Sequence, residues 1–110
     1  MGRFVKGDVV VLPFPFSDLS ISKKRPAVVV APLIGDDILV CQITSKTIKD
    51  QYGVAVLSTD FTAGKLHHDS NIRPNRLFTA DSAIVLYRAG TLTPRKMAEV
   101  TAKIVEIVTA

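Results

Sequence analysis

A mainly β fold, a small and strongly bent antiparallel sheet or partly open barrel closed by one terminal helix, is predicted for this 110-residue chain. Three observations carry the prediction. Five or six short apolar runs rich in β-branched residues are separated by proline, glycine and aspartate turns. No strand–helix–strand alternation occurs, which argues against a parallel sheet. Helical spacing enters only near the end, behind the start signal Thr93-Pro94.

The first strand is Val9-Val10-Val11-Leu12, a continuous run that reads as buried on both faces. Pro13-Phe14-Pro15-Phe16 and the turn-forming residues to Ser22 then make a loop of about a dozen residues, long for a compact domain. Its two phenylalanines either stack on bases or cover one end of the core. Lys23-Lys24-Arg25-Pro26 follows, and the chain turns apolar at Ala27-Val28-Val29-Val30-Ala31, the second strand. Pro26 biases Arg25 to an extended backbone, so Arg25 is a cation at the mouth of a rigid strand. The plain alternative is a solvated loop with gatekeeping charges.

The third strand runs from Ile38 to about Thr44, and Thr44-Ser45-Lys46 ends it with hydroxyls and a cation. Val54-Ala55-Val56-Leu57 reads as a fourth strand, and Ser58 to Leu66 as a polar connection turned by Gly64. Ser70 to Thr79 contains Pro74, which places it at an edge or on a bulge. An extended backbone there puts Arg73 and Asn75 on one face and Arg76 on the other. Ala83-Ile84-Val85-Leu86-Tyr87 is the next strand candidate. The helix carries its stripe at Met97, Val100, Thr101, Ile104, Ile107 and Val108, a lid for the sheet.

Composition narrows the classes. Hydrophobic residues make up 47% of the chain and no low-complexity tract occurs, so a folded single domain over 1–110 is expected. The net charge of +4 is compatible with nucleic acid. Cys41, the one cysteine, lies in an apolar run and reads as a buried, inert thiol. Met1 to Lys6 lacks the apolar stretch of a signal peptide and no run reaches membrane length, so a cytoplasmic protein without membrane contact is expected. His67-His68 are adjacent, point to opposite faces of an extended segment and have no matching ligands, so no metal or cofactor is expected.

Four short motifs then carry a resemblance: Gly7-Asp8-Val9-Val10, Arg25-Pro26-Ala27-Val28-Val29, Gln42-Ile43-Thr44-Ser45 and Gly90-Thr91-Leu92-Thr93-Pro94, with Ser70 to Asp81 between the last two. In this order and spacing they resemble the MazF/PemK toxins of bacterial toxin–antitoxin systems. The resemblance implies an SH3-like antiparallel barrel of five to seven short strands with a C-terminal helix (MazF/PemK/CcdB-like), forming a homodimer. It implies a metal-independent endoribonuclease that cuts single-stranded RNA by attack of the substrate's 2′-hydroxyl. A cognate antitoxin would occupy the RNA groove, and the toxin–antitoxin complex could bind operator DNA.

Carried over by position, the resemblance implies catalytic roles for Arg25, Thr44 and Arg73. Ser45 becomes a second contact, with Lys23, Lys24, Lys46, Asn75, Arg76 and Phe16 as further substrate-binding candidates. Asn75 stands where some members place an aspartate base, and a neutral amide takes no proton. The base is therefore unassigned, with His67, His68 and Asp69 nearby in sequence and Asp18 in the first long loop. Two other readings follow: a catalytically weak barrel that only holds nucleic acid or antitoxin, and a toxin acting on a protein such as DNA gyrase.

Overall fold

The computed structural model describes residues 4–14 and 23–110. Among them, seven strands precede one helix: β1 (Asp8–Phe14), β2 (Lys23–Pro32), β3 (Asp37–Thr44), β4 (Val54–Val56), β5 (Phe61–Gly64), β6 (Ser70–Asp81), β7 (Tyr87–Leu92) and α1 (Pro94–Thr109). They form a single sheet in the order β4-β6-β3-β2-β1-β7-β5. Every pairing is antiparallel.

The sheet is a curled half-barrel, and its irregularities explain the curl. Register shifts leave extra residues in β7 opposite Val9/Val10, in β2 between Val29 and Ala31, in β6 opposite Cys41/Gln42, and in β5 between Phe61 and Ala63. Each extra residue bends its strand and adds twist. Valines fill both faces of the central strands. Val9, Val28, Cys41 and Ile43 pack on the inner face with Val54 and Val56 of the terminal strand β4. Val10, Leu12, Val29 and Val40 pack on the outer face, with Phe4, Phe78 and Val85 against them. Val9-Val10-Val11-Leu12 is thus buried on both sides, as its unbroken apolar run predicts.

The helix closes the inner face. Thr93 caps it by accepting from the Lys96 backbone N–H at 3.2 Å, and Pro94 occupies the first turn. Met97 and Val100 enter the core, and Ile104 packs against its border. Val108, assigned to the stripe from sequence, is 69% exposed at the last turn. Lys96 ties the helix down: its Nζ donates to the Ala55 carbonyl at 2.9 Å and faces Asp60 and Glu99 carboxylates at 3.6 and 2.9 Å.

Two sequence expectations are corrected. The strand expected at Ala83–Tyr87 begins instead at Tyr87. Ser82–Ile84 is a 3-10 turn whose start is fixed by Asp81, which accepts from the Ala83 N–H at 2.9 Å. The connection expected at Ser58–Leu66 contains β5, which pairs with β7 and ends at Gly64 with φ +72. A Cβ there would press on the Ala89 carbonyl oxygen, so glycine is required twice over. Of the two roles left open for Phe14, the structure shows the core one. Phe14 is 4% accessible and sits edge-on to Phe78 at 5.1 Å between centroids. Phe16 and Asp18 lie outside the described residues.

Candidate active site

The central strands end together at one rim. Leu12 pairs with Arg25, Ala27 with Gln42, and Thr44 with Asn71. Continuing that register sets Arg25 level with Thr44 on the adjacent strand. Both lie on the outer face, where a cavity of about 210 Å3 is lined by Arg25, Gln42, Thr44, Lys46, Arg73 and Arg76. Phe14 closes its apolar side. Four cations converge on one small space. Among the described residues, no carboxylate ion-pairs with Arg25, Lys46 or Arg76.

Thr44 is buried, and its Oγ1 accepts from the Lys46 backbone N–H at 3.2 Å. With an acceptor site of the hydroxyl so used, its own proton remains to be donated. The Lys46 carbonyl in turn accepts from Asn71 Nδ2 at 3.4 Å, which holds the segment after β3 against β6. Rigid placement on a strand end gives the hydroxyl a fixed direction.

Arg73 is held by a residue that the sequence did not single out. Its Nη2 faces Asp50 Oδ2 at 3.4 Å, while its buried Nε finds no partner among the described residues. Asp50 uses its other oxygen on its own loop, accepting from the Tyr52 and Gly53 N–H groups at 2.9 and 3.2 Å. The Tyr52 hydrogen bond first, then Gly53 and Arg73, hold the Asp50 carboxyl below its ordinary range. Asp followed by a nearby glycine was a visible turn signal, but nothing in the sequence linked it to Arg73.

A bulge in β6 brings Arg76 to the same cavity. Gln42 pairs with Arg73, yet the next residue of β3, Cys41, pairs with Leu77. Pro74, Asn75 and Arg76 are extra on the β6 side. An odd number of extra residues inverts the alternation, so the expected parity is corrected: Arg73 and Arg76 share the cavity. Asn75 lines a neighbouring depression with Gln42, Arg76 and Phe78. The proline reading was otherwise sound, because β6 carries the bulge and pairs on its outer side only over Ser70–Ile72.

The remaining candidates separate from this cavity. Lys23 and Ser45 are exposed and line none of the described cavities. Lys24 faces the inner side of the rim, with His67 and His68. Cys41 is fully buried, and desolvation pushes its thiol up to about 12. Among the described residues, no group of three His, Cys, Asp or Glu side chains gathers that could hold a metal, and no helix is long and apolar enough to cross a membrane.

Fold and site together define a small β half-barrel that presents a cation-lined cavity at one strand end. The chain belongs to the PemK-like, MazF-like toxins of type II toxin–antitoxin systems, whose family profile matches residues 5–108. Its fold is similar to an endoribonuclease in complex with its cognate antitoxin from Mycobacterial species, at TM-score 0.73, 12% identity, 97% coverage of this chain and 96% of that one. It is also similar to MazF within a MazE–MazF crystal structure from Deinococcus radiodurans (TM-score 0.76, 18% identity, 96% of each chain). Mycobacterium tuberculosis toxin MazF-mt6 matches at TM-score 0.72 and 14% identity, over 93% of this chain and 96% of that one. No curated protein matches the chain in sequence.

Proposed function

We propose that this toxin is a metal-independent endoribonuclease that cuts single-stranded RNA at the outer cavity, and that a cognate antitoxin restrains it. The observation that carries the reading is the convergence of Arg25, Thr44 and Arg73 on one 210 Å3 space. Attack of a ribose 2′-oxygen on the adjacent phosphorus breaks the bond to the 5′-oxygen. It leaves a 2′,3′-cyclic phosphate and a 5′-hydroxyl, while the 2′-hydroxyl loses a proton and the departing oxygen gains one. The pentacoordinate phosphorus carries an extra negative charge, and the site's cations meet that charge.

Arg25 offers a forked guanidinium to two phosphate oxygens. Thr44 donates its hydroxyl proton to an oxygen of the same phosphate. Arg73, held by Asp50, brings its guanidinium charge to the developing charge or the leaving oxygen. Lys46 and Arg76 hold flanking phosphates. Among the described residues the cavity has no carboxylate or imidazole in its lining, so these side chains contribute charge stabilisation and positioning rather than base catalysis. The Mycobacterial structural relative is an endoribonuclease, which supports the same reaction class.

The lack of a lining base, with Asn75 beside the cavity, favours a second reading: a barrel that binds RNA without cutting it. One experiment separates the two. A labelled single-stranded RNA is incubated with protein in excess EDTA, and the product ends are mapped. The nuclease reading expects cyclic phosphate and 5′-hydroxyl ends, lost in Arg25→Ala. Retention without product supports the second reading, and cleavage that needs added metal overturns the first.

A further inference from the structure

Lys24 and Arg25 are consecutive on β2, so their side chains leave opposite faces of the sheet. Arg25 enters the outer cavity. Lys24 enters a second cavity on the inner face of the same rim, about 420 Å3 in volume. One wall is a row in register across three strands, Pro26 on β2, Val11 on β1 and Tyr87 on β7. The other is the segment 65–68 between β5 and β6. Lys65 donates its N–H to the Ala89 carbonyl at 3.3 Å, Leu66 packs against the inner core, and the His68 carbonyl accepts from Ser70 Oγ at 2.9 Å. The segment is therefore fixed at both ends, and the cavity is built into the fold.

Its chemistry is specific in kind. Val11, Pro26, Leu66 and Ala89 give an apolar floor, and Tyr87 stands beside it 58% exposed. Lys24, Lys65, His67 and His68 bring cationic or hydrogen-bonding groups, and among the described residues no carboxylate lies in the lining. Arg88 also lines it, with its Nε at 3.3 Å from Asp8 Oδ2. An apolar slot with an exposed aromatic ring and a cationic border accepts a planar base and its phosphate together. The volume falls within the range of about 300–1,000 Å3 that small organic ligands occupy.

We propose that this inner cavity is a second nucleotide subsite. It takes the base and phosphate of a nucleotide flanking the scissile one, as the RNA passes over the rim between Arg25 and Lys24. The base stacks on Tyr87, and the phosphate lies on Lys24 and Lys65. The assignment rests on the ribonuclease reading for the position of the scissile phosphate.

The test measures binding of a dinucleotide and a pentanucleotide of RNA, with cleavage followed in parallel. The ring resonances of His67 and His68 are recorded during the titration. Wild type is expected to bind the pentanucleotide more tightly and to shift both histidine resonances with it alone. Tyr87→Ala should lower the pentanucleotide-to-dinucleotide affinity ratio between about five- and a hundredfold, the worth of one stacked base. Tyr87→Phe should keep the ratio, and Arg25→Ala should keep it while losing cleavage. Equal weakening of both ligands by Tyr87→Ala, unshifted histidines, or shifts produced by raising protein concentration alone would overturn the subsite. If the length dependence holds and no product forms, the nuclease reading fails and the subsite stands. If product forms without length dependence, only the subsite fails.

Discussion

The two sides of the rim are made by the same strands and differ in nearly every physical respect. On the outer side the cavity is small and polar, with Arg73 tethered to Asp50 and a hydroxyl aimed by Lys46. On the inner side it is twice as large, floored by aliphatic carbons and bordered by an exposed tyrosine. Alternation alone assigns Arg25 to one and Lys24 to the other. A run of cations therefore need not form one patch, and here it serves two surfaces. The outer side is arranged for charge that develops during reaction, and the inner side for a flat group that arrives already formed.

The largest expected effect falls on the outer side. Arg25→Ala should lower the cleavage rate by roughly 100- to 1,000-fold, the range for losing one preorganised charge-stabilising contact. A loss under threefold in a quantitative RNA assay would move the reaction away from this cavity. Next comes Asp50→Asn, which keeps an oxygen for the Tyr52 and Gly53 N–H groups but removes the charge facing Arg73. We expect about a tenfold fall in kcat with little change in KM, the mark of an interaction realised in the transition state. A change confined to KM would instead make Arg73 a ground-state contact.

The sign of the pH effect follows from Asp50's lowered pKa. Its pairing is present above the ordinary carboxylate value of about 4 and is lost only as pH falls below it. Wild type and Asp50→Asn should therefore differ most near neutrality and converge in acid, a trend that stopped-flow cleavage at several pH values would reveal.

Smaller effects sharpen the contrast. Arg76→Ala should reduce the log–log salt slope of RNA binding by about 0.7, one phosphate contact on a single strand, whereas Tyr87→Ala should leave the slope unchanged. Equal slopes for the two variants would erase the distinction between charge and stacking. Thr93→Ala, remote from both cavities, removes the helix cap and should cost about 1 kcal/mol of stability in denaturant unfolding. A stability loss there that also altered RNA affinity would show the helix to be coupled to the rim.

What the sequence disclosed follows the range of the forces involved. Val9–Leu12, Ala27–Ala31 and Ile38–Thr44 were legible because a buried β-branched run needs no distant partner to be recognised. Thr93-Pro94 was legible because capping is local. The start of β7 was not, since its register is set by β1 and its approach by the Asp81 turn. Phe61-Thr62-Ala63-Gly64 has no strand signature of its own and becomes one only beside Gly90. For the site, Arg25, Thr44 and Arg73 were named from motif order, and the structure gathers them. Arg76 was sent to the wrong face because a bulge cannot be counted from alternation. Asp50 was missed because 23 residues separate it from Arg73.

The β6 bulge has a consequence for how such toxins diverge. The pairs Gln42–Arg73 and Cys41–Leu77 lock the strand on either side, so Pro74, Asn75 and Arg76 answer to no partner on β3. Pro74 is buried, whereas Asn75 and Arg76 are exposed and can vary while the buried registers stay as they are. Deleting one residue would make the number of extra positions even, so regular alternation would carry the strand from Arg73 to Leu77 without inversion. Two exposed positions beside the outer cavity can thus be exchanged without moving the paired segments on either side.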